Sequence, residues 1–262
     1  MSPAMTRHLP LQGIENFRDF GDYPTRHGRR LKKGLLYRSA HHHHATPEDL
    51  ALVADIGPTH IIDLRRTLER QREPSARWAD FEAEVIDNDL GHEPEDPWVV
   101  KMRTAPLTEE WFIEDAIQFY REAPFLERHI DLFSRYFRAL ATTGGPIIVH
   151  CAAGKDRTGM ICALTHHVAG VDEEHIVADF LLTNDPHRTE VRAQRLQEMI
   201  ERDLGRHVPM AAARAAVMVH EPCLRAALDE MTARCGSIDG YLEQRLGVDA
   251  QLREALEARL LD

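Results

Sequence analysis

With 262 residues, 43% of them hydrophobic, the chain is long enough to bury the core of a single globular domain over residues 1–262. Its net charge of −11 argues against general nucleic-acid binding, and it means that an anionic ligand must be attracted by a local basic site. The chain has no apolar run of 18 residues and its first eight residues lack a signal-peptide core, so we expect no integral membrane association and a cytoplasmic location, with export by a route that needs no signal peptide left open.

Short β-branched and apolar runs predict four strands, over residues 34–40, 59–65, 83–88 and 146–150. Helix signals lie between them, and Thr46 followed by Pro47 opens a predicted helix that extends to Ile56. A second helix is predicted from apolar residues at spacings of four and three, namely Leu126, Ile130, Phe133, Phe137 and Leu140. This alternation predicts an α/β fold with a central, mostly parallel sheet flanked by helices.

The rest of the chain is predicted to be mostly helical. Residues 108–120 carry aromatic side chains on a predicted helix, which either joins the core or forms a lid over the cleft. Beyond Gly170, Asp172 and Pro222 mark further helix starts, and residues 249–261 predict a terminal helix. We expect this helical second half to pack on the same core.

A strand, a tight loop and a helix meet at Cys151, and the helix-compatible segment continues from Thr158 to residue 169. The free amides of such a loop and of a helix N-terminus favour a bound phosphate and a thiolate at Cys151. Arg157 offers a planar fork of donors for two phosphate oxygens, and Thr158 a hydroxyl that stabilises the thiolate as a leaving group. Gly154 permits backbone angles or a close approach that a side chain would forbid.

The motif H-C-x-x-G-K-D-R-T-G, from His150 to Gly159, resembles the phosphate-binding loop of bacterial cysteine-dependent tyrosine and dual-specificity phosphatases. Further blocks similar to that family follow in order, at residues 16–21, 34–40, 61–65, 179–184 and 236–247, whereas residues 91–124 are the least diagnostic. The resemblance implies a tyrosine-phosphatase-like fold, a nucleophile at Cys151 and no cofactor or metal. The phosphate-binding loop that it implies comprises Ala152, Ala153, Gly154, Lys155, Asp156, Arg157 and Thr158.

Three aspartates are candidates for the general acid. The resemblance implies that Asp156, inside the loop, protonates the leaving oxygen and then activates water. Asp63 ends a predicted strand and ranks second, although a structural ion pair with Arg65 or Arg66 also explains it. Asp89 follows another predicted strand and ranks third.

Other polar residues near these motifs have structural as well as functional interpretations. Lys155 is either a solvated loop residue or a second cation that meets the substrate. Arg18 and Asp19 are expected to pair with each other and fix a turn near the site. His150 is expected to hold the loop by hydrogen bonds and to tune the cysteine rather than to act as a base.

The histidine tract and the remaining cysteines are assigned structural roles. The four histidines from His41 to His44 fit a surface loop or groove lining better than a metal site, because adjacent side chains do not converge on one ion. Cys162, Cys223 and Cys235 are expected to be buried thiols. Four cysteines without a disulfide pattern agree with a reducing compartment.

The main functional hypothesis is a protein tyrosine phosphatase, with dual specificity as its broader form, that hydrolyses phosphate monoesters through a phosphocysteine intermediate. A phosphoinositide or inositol-phosphate phosphatase with the same mechanism is the alternative, and a cationic contact from Lys155 would favour it. A phosphate-recognition module without turnover is the alternative from another class. Sulfur transfer and arsenate reduction are further alternatives, the latter requiring a second thiol near the first, such as Cys162. The oligomeric state is left open.

Overall fold

A five-stranded sheet lies at the centre of the residues that this computed structural model describes, 7–91 and 94–262. The strands are β1 (Arg18–Asp19), β2 (Leu36–Ser39), β3 (His60–Asp63), β4 (Glu84–Ile86) and β5 (Ile147–His150). Their order is β1-β2-β5-β3-β4, with β1 antiparallel to β2 and all other neighbours parallel. The predicted mostly parallel sheet is confirmed, with strands shorter than expected and β1 as an unpredicted addition.

The register of the central strands brings three polar residues together at the carboxyl ends of these strands. β5 lies between β2 and β3, and its Ile147, Ile148 and Val149 are buried on both faces, as expected for a parallel sheet covered by helices. His150 stands opposite Ser39 on one side and Asp63 on the other. The carboxyl ends of parallel strands therefore meet where the loop after β5 begins.

Helices surround this sheet and form most of the second half of the chain. They are α1 (Pro47–Ile56), α2 (Thr67–Arg72), α3 (Pro97–Met102), α4 (Glu109–Glu122), α5 (Glu127–Thr142), α6 (Asp156–Val168), α7 (Glu173–Leu181), α8 (Pro186–Leu204), α9 (Met210–Val217), α10 (Glu221–Cys235), α11 (Ile238–Leu246) and α12 (Ala250–Leu260). The predicted start of α1 is confirmed, because Thr46 and Asp49 form a reciprocal capping box. The predicted helices after Gly170 and at the end of the chain are confirmed as α7, α10 and α12.

The apolar stripe predicted for the helix before β5 is confirmed in α5, except at its first position. Phe133, Phe137 and Leu140 are fully buried in the main core. Leu126 precedes the helix in an extended conformation, after a short 3₁₀ turn, and is 41% exposed. The prediction for Leu126 was wrong because the helix begins one residue later, so the stripe does not extend to it.

Helix α4 contributes to two apolar clusters. Phe112, in its first turn, packs with α8 and α9 residues in a satellite cluster that includes Leu196 and Ala213. Tyr120, in its last turn, belongs to the main core together with Phe180. The aromatic residues of the predicted helix 108–120 therefore serve core packing at both ends of α4.

No helix within the described ranges is both long and apolar enough to cross a bilayer. The expectation that the chain lacks a signal peptide rests mainly on residues 1–6, which lie outside the described residues.

Candidate active site

The loop between β5 and α6 places Cys151 at the carboxyl edge of the sheet, where it is only 3% exposed. Gly154 has a left-handed φ of 63°, and a Cβ added there would lie 2.3 Å from the carbonyl carbon and oxygen of Ser39. The carbonyl oxygen of Gly154 accepts hydrogen bonds from Asn16 Nδ2 at 2.7 Å and from Arg38 Nη2 at 3.0 Å. Only glycine lets the loop lie this close to β2.

A buried network of ion pairs stabilises the loop. Asp179 on α7 pairs with Arg38 at 3.0 Å and with Arg18 at 3.6 Å, and all three side chains are almost fully buried. Burial would raise the pKa of Asp179, but the charges of the two arginines outweigh it and hold that pKa well below its ordinary value. The predicted Arg18–Asp19 pair is wrong, since Asp19 instead accepts from the amides of Gly21 and Gly34.

Arg157, in the first turn of α6, is fixed by a carboxylate that the sequence did not indicate. Glu69 Oε2 and Oε1 accept from Arg157 Nη1 and Nη2, each at 2.6 Å, and the Leu64 carbonyl accepts from Nη1 at 3.1 Å. These contacts use both N–H groups of Nη1 and one of Nη2. Among residues 7–91 and 94–262, the edge formed by Nε–H and the second Nη2–H has no hydrogen-bond partner, so it can bind a ligand in the bidentate geometry that suits phosphate.

The Glu69–Arg157 pair is buried enough to perturb both ionisations. Burial would raise the pKa of Glu69, but the charge of Arg157 and its hydrogen bonds lower it to about 2. The same carboxylate raises the pKa of Arg157 above its ordinary value against the effect of burial. Both groups are charged throughout the neutral pH range.

Asp156 is the first residue of α6, and its carboxylate has one contact on each oxygen. The Tyr120 hydroxyl donates to Oδ1 at 3.0 Å, and Lys155 Nζ lies 3.6 Å from Oδ2. With 31% of its side chain exposed, Asp156 is the most accessible of the charged loop residues. It is therefore open to solvent or to a ligand while its orientation is fixed.

Lys155 is held by backbone carbonyls at the end of α9. Its Nζ donates to Ala216 O at 2.7 Å and to Met218 O at 3.2 Å, and 13% of its side chain is exposed. The interpretation of Lys155 as a freely solvated loop residue is therefore wrong, whereas its contact with a substrate stays a prediction. The Lys155 ammonium connects the loop to the end of α9.

Asp63 is enclosed by Arg65 at the end of β3. Arg65 Nε and Nη2 donate to its two oxygens at 2.9 and 2.7 Å, and only 2% of the Asp63 side chain is exposed. Burial would raise the pKa of Asp63, but His150 and Arg65 hold it well below its ordinary value. Asp89 lies apart beside α2, where it accepts from Thr67 at 2.6 Å and its side chain is 76% exposed.

Two histidines stack behind the cysteine. The buried ring of His42 stacks on that of His150 with 5.1 Å between the ring centroids and 25° between the ring planes, and His42 Nε2 is 3.1 Å from Ser39 Oγ. Burial lowers the pKa of His150 to about 4, although Asp63 acts in the opposite direction, so His150 is neutral at pH 7. His43 faces the Pro74 carbonyl instead, and among the described residues no group of three or more ligand side chains is arranged to hold a metal.

The remaining polar groups around Cys151 are strongly desolvated. Thr158 Oγ1 is buried, with no nitrogen or oxygen partner among the described residues. Burial raises the pKa of Cys162 to about 12 and that of Cys223 to about 11. Both are thiols rather than thiolates at neutral pH, unlike the attacking thiolate that disulfide exchange requires.

The parallel α/β sheet, with a cysteine after its central strand and an arginine returning from the next helix, defines a phosphatase of the cysteine-dependent class. The model of the tyrosine phosphatase family matches residues 9–262. The chain therefore belongs to the tyrosine phosphatase family.

Individual relatives agree with this assignment. A Cupriavidus necator protein that carries a tyrosine-protein phosphatase name is 31% identical over 252 residues, covering 94% of this chain and 88% of its own. The triple specificity protein phosphatase PtpB of Mycobacterium tuberculosis is 28% identical over 290 aligned positions, covering 97% of each chain. A tyrosine-protein phosphatase of Nostoc commune is 29% identical over 135 residues, covering 49% of this chain and 44% of its own.

Proposed function

We propose that the chain is one catalytic domain that hydrolyses phosphotyrosine in proteins through a phosphocysteine on Cys151. The observation that carries this proposal is the free edge of Arg157, which Glu69 fixes beside the cysteine loop. A bidentate donor edge, loop amides and a helix N-terminus together stabilise the equatorial oxygens of a phosphoryl group in transfer. The names of the relatives support phosphotyrosine as the first substrate class.

The first step is the attack of the Cys151 thiolate on phosphorus. A sulfur–phosphorus bond forms as the bond to the ester oxygen breaks, and the protonated Asp156 carboxyl gives its proton to the departing oxygen. Arg157 holds two of the phosphoryl oxygens throughout. The step leaves a neutral alcohol or phenol, a phosphocysteine and the Asp156 carboxylate.

The second step returns the enzyme to its starting state. The Asp156 carboxylate takes a proton from a water molecule, whose oxygen attacks phosphorus as the sulfur–phosphorus bond breaks. Thr158 Oγ1, which is buried and without a nitrogen or oxygen partner in the described part of the chain, is available to donate to the departing thiolate. Phosphate is released and Asp156 again carries the proton for the next cycle.

Asp156 is a better proton donor than Asp63 in this scheme. Asp63 accepts several hydrogen bonds from Arg65, which favour its ionised form, and its side chain is almost inaccessible. A general acid must carry a proton and reach the leaving oxygen, and the Asp156 carboxyl, with 31% of its side chain exposed, is accessible to a substrate whereas Asp63 is not. We assign Asp63 the role of orienting Arg65 and the end of β3.

The substrate range is proposed to centre on phosphorylated proteins, with dual specificity as its extension. A phosphoinositide or inositol-phosphate substrate was favoured by a substrate-facing Lys155, and that argument weakens because two carbonyls hold its ammonium. A reducing cytoplasmic location is part of the proposal because Cys151 is a free cysteine that must stay reduced to act as the nucleophile.

The first test compares the unmodified protein with Cys151→Ser on p-nitrophenyl phosphate, with a chelator present. Turnover that survives the chelator and disappears in Cys151→Ser is the expected result. Retained phosphate binding without turnover in the unmodified protein would instead support the recognition module. A panel of phosphotyrosine, phosphoserine and phosphothreonine peptides and phosphoinositide vesicles then ranks the substrate classes.

The second test separates the two aspartates by leaving-group dependence. Asp156→Asn is expected to lose about 100-fold or more in kcat with a poor leaving group such as an alkyl phosphate, and much less with p-nitrophenyl phosphate. Asp63→Asn is the matched control, and its loss should be similar for both substrates. A loss confined to poor leaving groups in Asp63→Asn would reverse the assignment.

A further inference from the structure

Tyr120 is a buried residue of α4 whose hydroxyl reaches the active-site loop. Its side chain is 1% exposed, and its ring packs edge-on against Phe180 at 6.1 Å. The hydroxyl oxygen lies 3.0 Å from Asp156 Oδ1, 36 residues further along the chain. The ring is therefore locked in the core while its one polar atom is directed at the loop carboxyl.

We propose that Tyr120 is a positioning residue for Asp156, which occupies Oδ1 so that the transferable proton is carried on Oδ2. This inference rests on the proposed role of Asp156 as general acid. A carboxyl oxygen that accepts a hydrogen bond from a phenol does not need to carry the proton itself, so the acid form has its O–H on the opposite oxygen. One rotamer and one protonated oxygen are thereby selected before the substrate binds.

Tyr120 is the donor to the ionised Asp156 carboxylate, which has no proton to give. Burial raises the pKa of Tyr120 well above its ordinary value, and the nearby charge of Asp156 acts in the same direction. The phenol thus keeps its proton at every pH at which the enzyme would operate. A buried, always protonated donor orients the carboxyl in both halves of the cycle.

The groups around Asp156 come from four elements. Lys155 from the loop lies 3.6 Å from Oδ2, Arg157 follows in α6, and Cys223 of α10 and Tyr120 of α4 face it from the core. Lys155 and Arg157 are cations, whereas Tyr120 donates its hydrogen bond without adding a charge. Of these groups Tyr120 alone is a neutral donor in hydrogen-bond range, so its hydroxyl can be removed without changing the net charge of the site.

The experiment measures the pH dependence of kcat/KM for Tyr120→Phe with aryl phosphates of graded leaving-group basicity. Loss of the phenol hydrogen bond favours the acid form, so the basic limb of the profile should move up by about one pH unit. With the carboxyl no longer oriented, kcat should fall by about 10-fold for the most basic leaving groups and by less than about 3-fold for p-nitrophenyl phosphate.

Tyr136→Phe is the matched control. The buried hydroxyl of Tyr136, on α5, pairs at 2.9 Å with Thr165 in the second half of α6, so Tyr136→Phe removes a comparable buried hydrogen bond outside the loop. It should leave both the basic limb and the leaving-group dependence unchanged. If Tyr120→Phe behaves like Tyr136→Phe, the hydroxyl serves packing alone and the inference is overturned.

Two further variants separate this inference from the proposed function. Asp156→Asn and the double variant with Tyr120→Phe should show the same leaving-group dependence, because the tyrosine acts through the aspartate. If Asp156→Asn shows no dependence on the leaving group, the proposed role of Asp156 as general acid is wrong. If Asp156→Asn shows the expected dependence but the pH profile of Tyr120→Phe is unchanged, only the positioning role of Tyr120 is contradicted. Should Tyr120→Phe fail to fold, 3-fluorotyrosine at position 120 retains the hydroxyl as a stronger donor and should move the basic limb to lower pH; an unmoved limb overturns the inference.

Discussion

Glu69 holds the end of the Arg157 guanidinium through two hydrogen bonds of 2.6 Å, across 88 residues of sequence. The same Glu69 Oε2 accepts from the Arg66 amide at 2.7 Å, so the carboxylate is itself anchored at the start of α2. Helix capping, ion pairing and orientation of the phosphate-binding arginine are thereby combined in one side chain. The orientation of Arg157 depends on the position of α2.

Glu69→Gln is expected to lower kcat/KM by about 100-fold, because one of the two acceptor oxygens becomes an NH2 donor, the paired hydrogen bonds to Arg157 are lost and Arg157 loses its fixed orientation. Inorganic phosphate should bind more weakly as well. Steady-state kinetics and phosphate inhibition measure both effects. Glu73→Gln, at the end of the same helix, is the control, and its kcat/KM should remain within a few-fold of that of the unmodified protein. An equal loss of kcat/KM in Glu73→Gln would show that α2 as a whole, not the Glu69–Arg157 pair, is responsible.

Local signals predicted much of this fold, and long-range pairs did not. The β-branched run before Cys151 and the capping box at Thr46 are visible in neighbouring residues, so β5 and α1 were predicted from the sequence. Arg38 and Asp179 are 141 residues apart, and no local pattern links them. Their partnership is set by which helix packs over which strand, which is a property of the completed fold.

The active-site loop shows the same difference between local and long-range signals. Its residue types and spacing predicted Cys151 and Arg157 together, because the chemistry needs both within one turn. The supporting residues Glu69, Tyr120 and Asn16 contact it from separate elements and were not assigned roles. A glutamate near Arg66 and an asparagine in the block 16–21 were the only sequence signals that could have suggested them.

Gly154→Ala is expected to remove activity and to destabilise the fold, because its Cβ would lie 2.3 Å from backbone atoms of Ser39. Gly205→Ala is a matched control, since Gly205 has a similar φ of 61° but no atom within 4 Å of an added Cβ. The control should lose about 1 kcal/mol from the left-handed conformation alone. Urea unfolding and phosphatase assays of both variants separate the conformational cost from the clash, and equal losses would contradict the close packing of the loop on β2.

Asp179→Asn is expected to lower the free energy of unfolding by about 3 to 5 kcal/mol, because it leaves the buried charges of Arg18 and Arg38 uncompensated. Arg38 also donates to the Gly154 carbonyl, so activity should fall together with stability. Asp172→Asn, at the start of the same helix and 65% exposed, is the control and should change stability by less than about 1 kcal/mol. Chemical denaturation measures the unfolding free energy of both variants. If Asp179→Asn loses no more stability than Asp172→Asn, the charge of Asp179 does not stabilise the network.

The stability of the protein is expected to fall as the pH drops from about 6.5 to about 4, and His150 should account for part of that slope. Burial lowers the pKa of His150 to about 4 in the folded state, whereas an unfolded histidine titrates near its ordinary value of about 6.5. Below pH 6.5 the unfolded chain therefore binds a proton that the folded chain does not, so the contribution of neutral His150 is complete above pH 6.5 and is lost progressively towards pH 4.

His150→Asn tests this contribution through the slope of the unfolding free energy against pH, not through its absolute value, because the substitution also alters packing against His42. The slope between pH 6 and pH 4.5 should decrease by up to about 1.4 kcal/mol per pH unit, which corresponds to one proton. His207→Asn, at an exposed position, should leave the slope unchanged. An unchanged slope in His150→Asn would mean that His150 is protonated in the folded protein, and a cation would then stand directly behind the Cys151 thiolate.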